Sequence, residues 1–278
     1  MYRTILAAVN EYVNSEVAGR YAKHLARAAG AKLILCSVRE PGQSEASFER
    51  SRETARRLQH NARELGVEAA CLFDAGDPVE RIRAIVLAEG VDLVFTATRR
   101  ADVKNRIIRG GATARKLLPA LPCSVALVRV VHLGRSHPGE ILVALKKQID
   151  HIPERAEFTA LLAKAFKARV HLFHVTKPVS RFFHGETHLT PLEWEAQAPP
   201  DMSRFISHLD GFGVEHEKRL APGTAGRNIT IEAASRRRDL IIMGASERGV
   251  IDRLLHRAPM EEVLSETPCN LIILKPGR

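Results

Sequence analysis

The chain alternates between short apolar runs and longer stretches in which apolar residues recur every three or four positions. TILAAVN (Thr4 to Asn10), AKLILCSV (Ala31 to Val38), VDLVFTATRR (Val91 to Arg100) and LPCSVALVRV (Leu121 to Val130) are rich in Val, Ile and Leu and apolar at nearly every position. Strands buried on both faces of a parallel sheet read this way, whereas a strand with one wet face would alternate. Between the first two runs, Val17, Ala18, Tyr21, Ala22, Leu25 and Ala28 fall on one helical face, Ser15 stands where an N-cap is expected, and Gly30 where a helix closes. The pattern predicts strand 31–38, a polar helix 45–65 ended by Gly66, strand 67–73, a helix from Asp77 with Pro78 in its first turn, strand 92–97, a short helix to Ala120 and strand 123–130.

The same order then recurs. EILVALK (Glu140 to Lys146), ARVHLFHV (Ala168 to Val175), RDLIIMGASER (Arg238 to Arg248) and TPCNLIILKP (Thr267 to Pro276) answer the four runs in sequence, at offsets that run from 136 at the first match to 147 at the third, most of the growth falling between the second and third. Pro153 opens the first helix of the second copy, and Gly213 precedes its third strand. Pro178, Pro191, Pro199 and Pro200 predict an irregular excursion over 177–200, carrying the single tryptophan Trp194, before a short helix 201–210. Alternating strands and helices imply right-handed crossovers, hence an α/β chain of two similar doubly wound domains, 1–134 and 135–278, with helices on both faces of each parallel sheet. Ligands of such sheets bind beyond the carboxyl ends of the strands, so the tails of strands one and four become the candidate sites.

Composition narrows the function. A chain of 278 residues with 45% hydrophobic and 27% charged residues suits two soluble domains. No apolar run approaches the roughly 20 residues of a spanning helix, and MYRTILAAVN does not read as a leader, so a cytoplasmic protein without membrane insertion is expected. Cys36 and Cys71 lie in strand-like runs, Cys123 and Cys269 occupy one repeat position, and no Cys-x-x-Cys exists, which predicts free buried thiols. Of the net charge of +10, the first copy carries +7 (21 basic and 14 acidic residues up to Gly134) and the second +3 (21 and 18). Arg99, Arg100, Lys104, Arg106, Arg109, Arg115 and Lys116 face a single acid, Asp102: a solvated surface or an anion site. Aromatics are 5% and none interleaves with this run, so a stacking platform for nucleic acid is missing, although the basic loop 99–116 keeps nucleic-acid binding as an alternative.

Neither His184 with His188 nor His171 with His174 has the partners that would complete a metal shell, so no metal is expected. No Gly-x-Gly-x-x-Gly, Walker Gly-Lys-Ser/Thr or Gly-x-Ser-x-Gly is present, and no catalytic residue is nominated.

Three signatures point to a family: the opening ILAAVNEYVNSEVAGRYA, the turn-to-helix GDPVERI (Gly76 to Ile82) and the closing Pro-Cys strand, with MGASERGVIDRLL after strand four of the second copy. The chain resembles the universal stress protein family over almost its whole length, as a tandem pair. The resemblance implies strand order 3-2-1-4-5 in each five-stranded sheet and a non-enzymatic stress-response role. In the family's ATP-binding branch strand one ends in aspartate, and strand four runs into Gly-x-x-Gly and then Gly-Ser or Gly-Thr, where bare main chain can lie against phosphates. Here the aspartate position is Asn10 in the first copy, with Thr96 and Arg99 at the early glycines and Gly110 and Gly111 at the late pair. In the second copy it is Lys146, followed by Gly244 and Glu247, then Arg257 and Ala258. The second loop is therefore expected to have lost ATP and to need no cofactor. In the first, loss of ordinary ATP binding is expected as well; the alternative is an anion or nucleotide site for ATP or AMP formed by Asn10, Val38, Arg99, Arg109, Gly110, Gly111 and Thr113. The resemblance also implies that the last strands, VALVRV and LIILKP, associate across a two-fold, so that copy one pairs with copy two. A homodimer of such units and a regulatory protein partner are further expectations.

Overall fold

A computed structural model of the chain describes residues 2–98, 112–134, 137–176, 198–245 and 258–277. The first half contains β1 (Thr4–Ala8), α1 (Val13–Ala29), β2 (Lys32–Arg39), α2 (Glu45–Glu64), β3 (Ala69–Ala75), α3 (Pro78–Ala88), β4 (Leu93–Thr98), α4 (Ala112–Ala120) and β5 (Ser124–Arg129). The second contains β6 (Glu140–Leu145), α5 (Ile152–Phe166), β7 (Arg169–Thr176), α6 (Pro200–Gly211), β8 (His216–Pro222), α7 (Ala225–Ser235), β9 (Leu240–Gly244), α8 (Ala258–Glu266) and β10 (Asn270–Lys275). None of the described helices is long and apolar enough to cross a membrane.

Local chemistry sets the boundaries. The Asp77 carboxylate accepts from the Val79 and Glu80 amides at 2.8 and 3.1 Å and starts α3, with Pro78 in its first turn. Helix α1 begins two residues before the Ser15 cap read from the sequence. Its N-cap is Tyr12, and Ser15 is buried one turn in, where its Oγ accepts from the Asn10 amide at 3.0 Å. The third strand starts at Ala69 rather than Val67, because the Val67 amide still donates to Ala62 O at 3.0 Å in closing α2. Gly30, at φ 64°, ends α1, and its equivalent Lys167 adopts φ 52° at the end of α5 without a glycine's freedom.

Within each half the strands are parallel, ordered β3-β2-β1-β4-β5 and β8-β7-β6-β9-β10. The halves join where β5 and β10 pair antiparallel, giving one ten-stranded sheet. Leu127 faces Ile273 on the pseudo-two-fold axis, and Arg129 faces Leu271 as Lys275 faces Val125. The Lys275 ammonium, buried in the seam, donates to the Leu121 and Cys123 carbonyls at 2.9 and 3.1 Å. Helices α1, α2, α5 and α6 pack on one face of the sheet and α3, α4, α7 and α8 on the other. On the first face α1 and α5 meet across the seam, where Phe95 stacks on Phe158 at 6.1 Å and Tyr21 meets Phe166 edge-on at 5.8 Å.

Candidate functional site

In the first half the strand order reverses between β1 and β4, and a cavity of about 310 Å³ opens at their carboxyl ends. Asn10, Val38 and Thr113 all line it, together with Thr96, Pro78 and Ile82. The Asn10 side-chain oxygen accepts from the Tyr12 amide at 3.1 Å, closing a local turn and leaving the side-chain NH₂ as what Asn10 can offer a ligand. An aspartate there could only accept; asparagine presents a donor. The Asn14 side-chain amide donates to Thr98 O at 2.9 Å and ties the start of α1 to the end of β4. Among the described lining residues Glu40 is the one carboxylate and no Lys or Arg appears. Arg99, Arg109, Gly110 and Gly111, on which an anion site would depend, lie outside the described residues, as does the basic loop except from residue 112 onward.

Sheet register revises one correspondence. Ile5 pairs with Leu93 as Ile141 pairs with Leu240, so the counterpart of Gly244 is Ala97, and Thr96 corresponds to Met243. The sequence match of Val91–Arg100 to Arg238–Arg248, at an offset of 147, places Ala97 against Gly244 as well, and the strand register agrees with it.

In the second half Lys146 and Gly244 are brought together at a larger cavity of about 650 Å³. Glu247 and Arg257 lie outside the described residues, and Ala258 opens α8. The residue that dominates this end of the sheet is one the motifs do not reveal, Arg155 of α5. Its side chain is buried and donates to the carbonyls of Leu274 (3.0 Å), Ala245 (2.5 Å) and Asp150 (2.7 Å), while Nη2 also meets the Asp150 carboxylate at 2.7 Å. The guanidinium thus closes the carboxyl ends of β9 and β10. A Cβ on Gly244 would overlap Arg155 Nη1, so this glycine makes room for an arginine. Counting back from the matched helix ends at Gly30 and Lys167, Arg155 stands where the first half has the fully buried Ala18. One signal is available in the sequence: Arg155 shares a helical face with Ile152, Thr159 and Leu162, all buried.

The remaining candidates fall elsewhere. His171 is buried between the Glu140 carboxylate at 2.5 Å and that of Glu217 at 3.3 Å, and His174 meets Leu145 O at 2.8 Å. Among the described residues no three His, Cys, Asp or Glu side chains are grouped to hold a metal ion. His184, His188 and Trp194 lie outside the described residues. All four cysteines are free. Burial pushes the Cys36 thiol up to about 12 and the Cys123 thiol up to about 11, so neither supplies a thiolate near neutral pH; Cys71 is only half-buried.

Comparison with known proteins follows the same lines. A universal stress protein of Thermus aquaticus is 32% identical over 139 residues, which is 46% of this chain and all of the relative. A universal stress protein structure from Archaeoglobus fulgidus superposes with a TM-score of 0.68 at 18% identity, covering 99% of this chain and 96% of that one. The cytoplasmic domain of a prokaryotic cation chloride cotransporter gives 0.62 at 14% identity, over 99% and 96% of the two chains, so the same fold also occurs as part of a transporter. The model of the Universal stress protein family matches twice, over residues 1–129 and again over 139–275, and the chain therefore belongs to the universal stress protein family as a tandem member.

Proposed function

We propose that the protein is a non-enzymatic stress-response regulator built of two units, 1–134 and 135–278, in which the second has given up the triphosphate cradle and serves as structural partner to the first. The observation that carries this reading is Arg155. Its guanidinium closes the strand ends of the second unit and rests against Gly244, while Lys146 replaces the aspartate at the end of β6. A buried arginine with its donors already engaged by Leu274 O, Ala245 O and Asp150 cannot turn to a triphosphate without leaving those carbonyls unpaired. A second reading, an ATP or AMP switch acting through the first unit, is favoured by the cavity that collects Asn10, Val38 and Thr113. Its volume is at the small end of the roughly 300–1,000 Å³ usual for ligand pockets. A cytoplasmic location, self-association of the pseudo-dimer and a regulatory protein partner complete the proposal.

The test is direct. Protein purified without added nucleotide is denatured, and the supernatant is assayed for adenine nucleotide by absorbance and mass; ATP and AMP are then titrated against the native protein by calorimetry. The proposal expects no nucleotide at the second unit and at most one equivalent per chain. Two equivalents, or binding abolished by changes at Lys146 and untouched by changes at Asn10, would overturn it.

A further inference from the structure

The outermost strands of the ten-stranded sheet, β3 and β8, each have one row of main-chain groups that no neighbouring strand uses, and the two rows differ. Strand β3 and the helices flanking it, α2 and α3, lie wholly within the described residues. Its ladder with β2 runs from the Leu33 amide on Glu68 O at 2.8 Å to the Gly76 amide on Arg39 O at 3.0 Å, so Ala70, Leu72 and Asp74 turn their main chain inward. Ala69, Cys71, Phe73 and Ala75 turn theirs outward. Two of the outward groups are engaged: Ala69 O accepts from Gln59 Nε2 at 3.0 Å and Arg63 Nη2 at 2.9 Å, and the Ala75 amide donates to the Asp74 carboxylate at 2.8 Å. The other outward amides and carbonyls have no partner among the described residues.

Strand β8 is closed to pairing. Its ladder runs from the Val170 amide on Glu215 O at 3.1 Å to the Gly223 amide on Thr176 O at 3.0 Å, which puts Lys218, Leu220 and Pro222 in the outward row. Pro222 has no amide to give, and Glu217, Lys218 and Arg219 are exposed charges. A head-to-tail row of copies, β3 on β8, is therefore disfavoured. We infer that the self-association proposed above takes place at β3, two copies pairing these strands antiparallel with Leu72 on the two-fold axis. In that register Cys71 lies opposite Phe73 of the other copy and Ala69 opposite Ala75, as hydrogen-bonded pairs that exchange amide and carbonyl. The engaged Ala69 carbonyl then faces the engaged Ala75 amide, and each remaining outward group meets another that needs a partner. Moving the axis to Cys71 sets Ala69 O against a Phe73 amide, and moving it to Phe73 sets the Ala75 amide against a Cys71 carbonyl, so either shift leaves main chain unpaired. Apolar side chains meet on both faces: Cys71 with Phe73 on the α2 side, and Leu72 with its own copy on the α3 side. Arg52 and Arg56, over the Phe73 ring at 5.2 and 5.6 Å, are paired with Glu49 at 2.8 and 3.1 Å and come to the interface compensated.

Sedimentation velocity of the full chain over a dilution series, under reducing conditions, measures the association, and a reversible dimer is expected. Cys71→Lys copies what β8 carries, since Lys218 pairs with Leu172 as Cys71 pairs with Leu35. It should weaken the dimer at least about tenfold, while the unfolding midpoint, read at concentrations where the chain is monomeric, stays in place. Register is read separately by oxidising Leu72→Cys in a Cys71→Ser background, the other three cysteines being buried. Two thiols on the axis, at the roughly 4.5 Å Cα separation of a non-hydrogen-bonded pair, should form an intermolecular disulfide. Ala70→Cys, which sits about four residues out of step with its copy, should not. A chain that is monomeric at every concentration would overturn this inference together with the proposed self-association. A dimer indifferent to Cys71→Lys, or one locked by Ala70→Cys instead of Leu72→Cys, would overturn the β3 pairing alone. None of these readouts involves nucleotide.

Discussion

The contact between Gly244 and Arg155 makes a quantitative demand on stability. In Gly244→Ala the new methyl group would overlap Nη1 and lie 2.8 Å from Cζ. An arginine tip ordinarily yields to such a group. This one is held by four donations, to Leu274 O, Ala245 O, Asp150 O and the Asp150 carboxylate, so giving way means breaking charge-assisted hydrogen bonds worth about 1.5–3 kcal/mol each. Overpacking alone costs about 1–3 kcal/mol, and with one hydrogen bond lost a destabilisation of about 3 kcal/mol is expected. Arg155→Ala should cost a similar amount, about 3 kcal/mol. That is the lower end of the range for breaking a buried ion pair, because the adjoining cavity lets water reach the freed carbonyls. The double variant should cost no more than Arg155→Ala alone. Gly244 lies in a strand without a positive φ, so once the guanidinium is gone alanine fits there and gains about 0.5–1 kcal/mol from the smaller loss of chain entropy. Urea unfolding of the four proteins, followed by circular dichroism with the slope monitored for loss of two-state behaviour, measures the coupling. Additive losses approaching about 6 kcal/mol in the double variant would refute the account of why this glycine is present.

Val128→Asp puts an uncompensated carboxylate into the fully buried seam opposite Ile272; a loss of at least about 3 kcal/mol and a larger hydrodynamic radius are expected, and an unchanged unfolding midpoint would contradict the pairing of the halves. Lys167→Gly should stabilise by about 0.5–1 kcal/mol, since residue 167 already sits in the left-handed region, and a loss in thermal unfolding would mean that the lysine side chain contributes something else. Burial first, then the Lys23, His137 and Arg27 charges, depress His24 to about 4, below its value of about 6.5 in the unfolded chain. The unfolded state then binds the extra proton, so stability should fall as pH drops from about 6.5 to about 4 and level off below. His24→Phe should flatten this slope, a contribution of about 1 kcal/mol after allowance for partial exposure, and an identical pH profile would refute it.

The fold is legible because its causes are local and repeated. Runs such as KLILC and LIILK admit only a strand covered on both faces, Gly30 and Gly66 end helices wherever they occur, and two copies of the plan corroborate each other. The start of α1 escapes such reading because Ser15 is a good cap by type, yet its hydroxyl turns back to the Asn10 and Tyr12 main chain and closes the turn before the helix, a local use of serine that competes with capping and has the same sequence appearance. At the candidate sites the sequence supplies Asn10, Val38 and Lys146 but not Arg155, whose partners are main-chain carbonyls more than 80 residues away at Ala245 and Leu274. A backbone acceptor leaves no signature in side-chain identity. The assignment of Thr96 is different: the repeat match at an offset of 147 already aligns Ala97 with Gly244, and the pairing of β1 with β4 and of β6 with β9 bears that alignment out.

Joining β5 to β10 within one polypeptide has a consequence for how the protein can change. In a symmetric pair of separate subunits any replacement is duplicated on both sides of the axis, and a bulky cation would have to be tolerated twice. Here the two sides are written by different codons, so Ala18 and Arg155 can hold equivalent stations and each half can drift toward its own task. The tether also keeps the partners at fixed stoichiometry at any dilution, so neither half is ever selected for life alone.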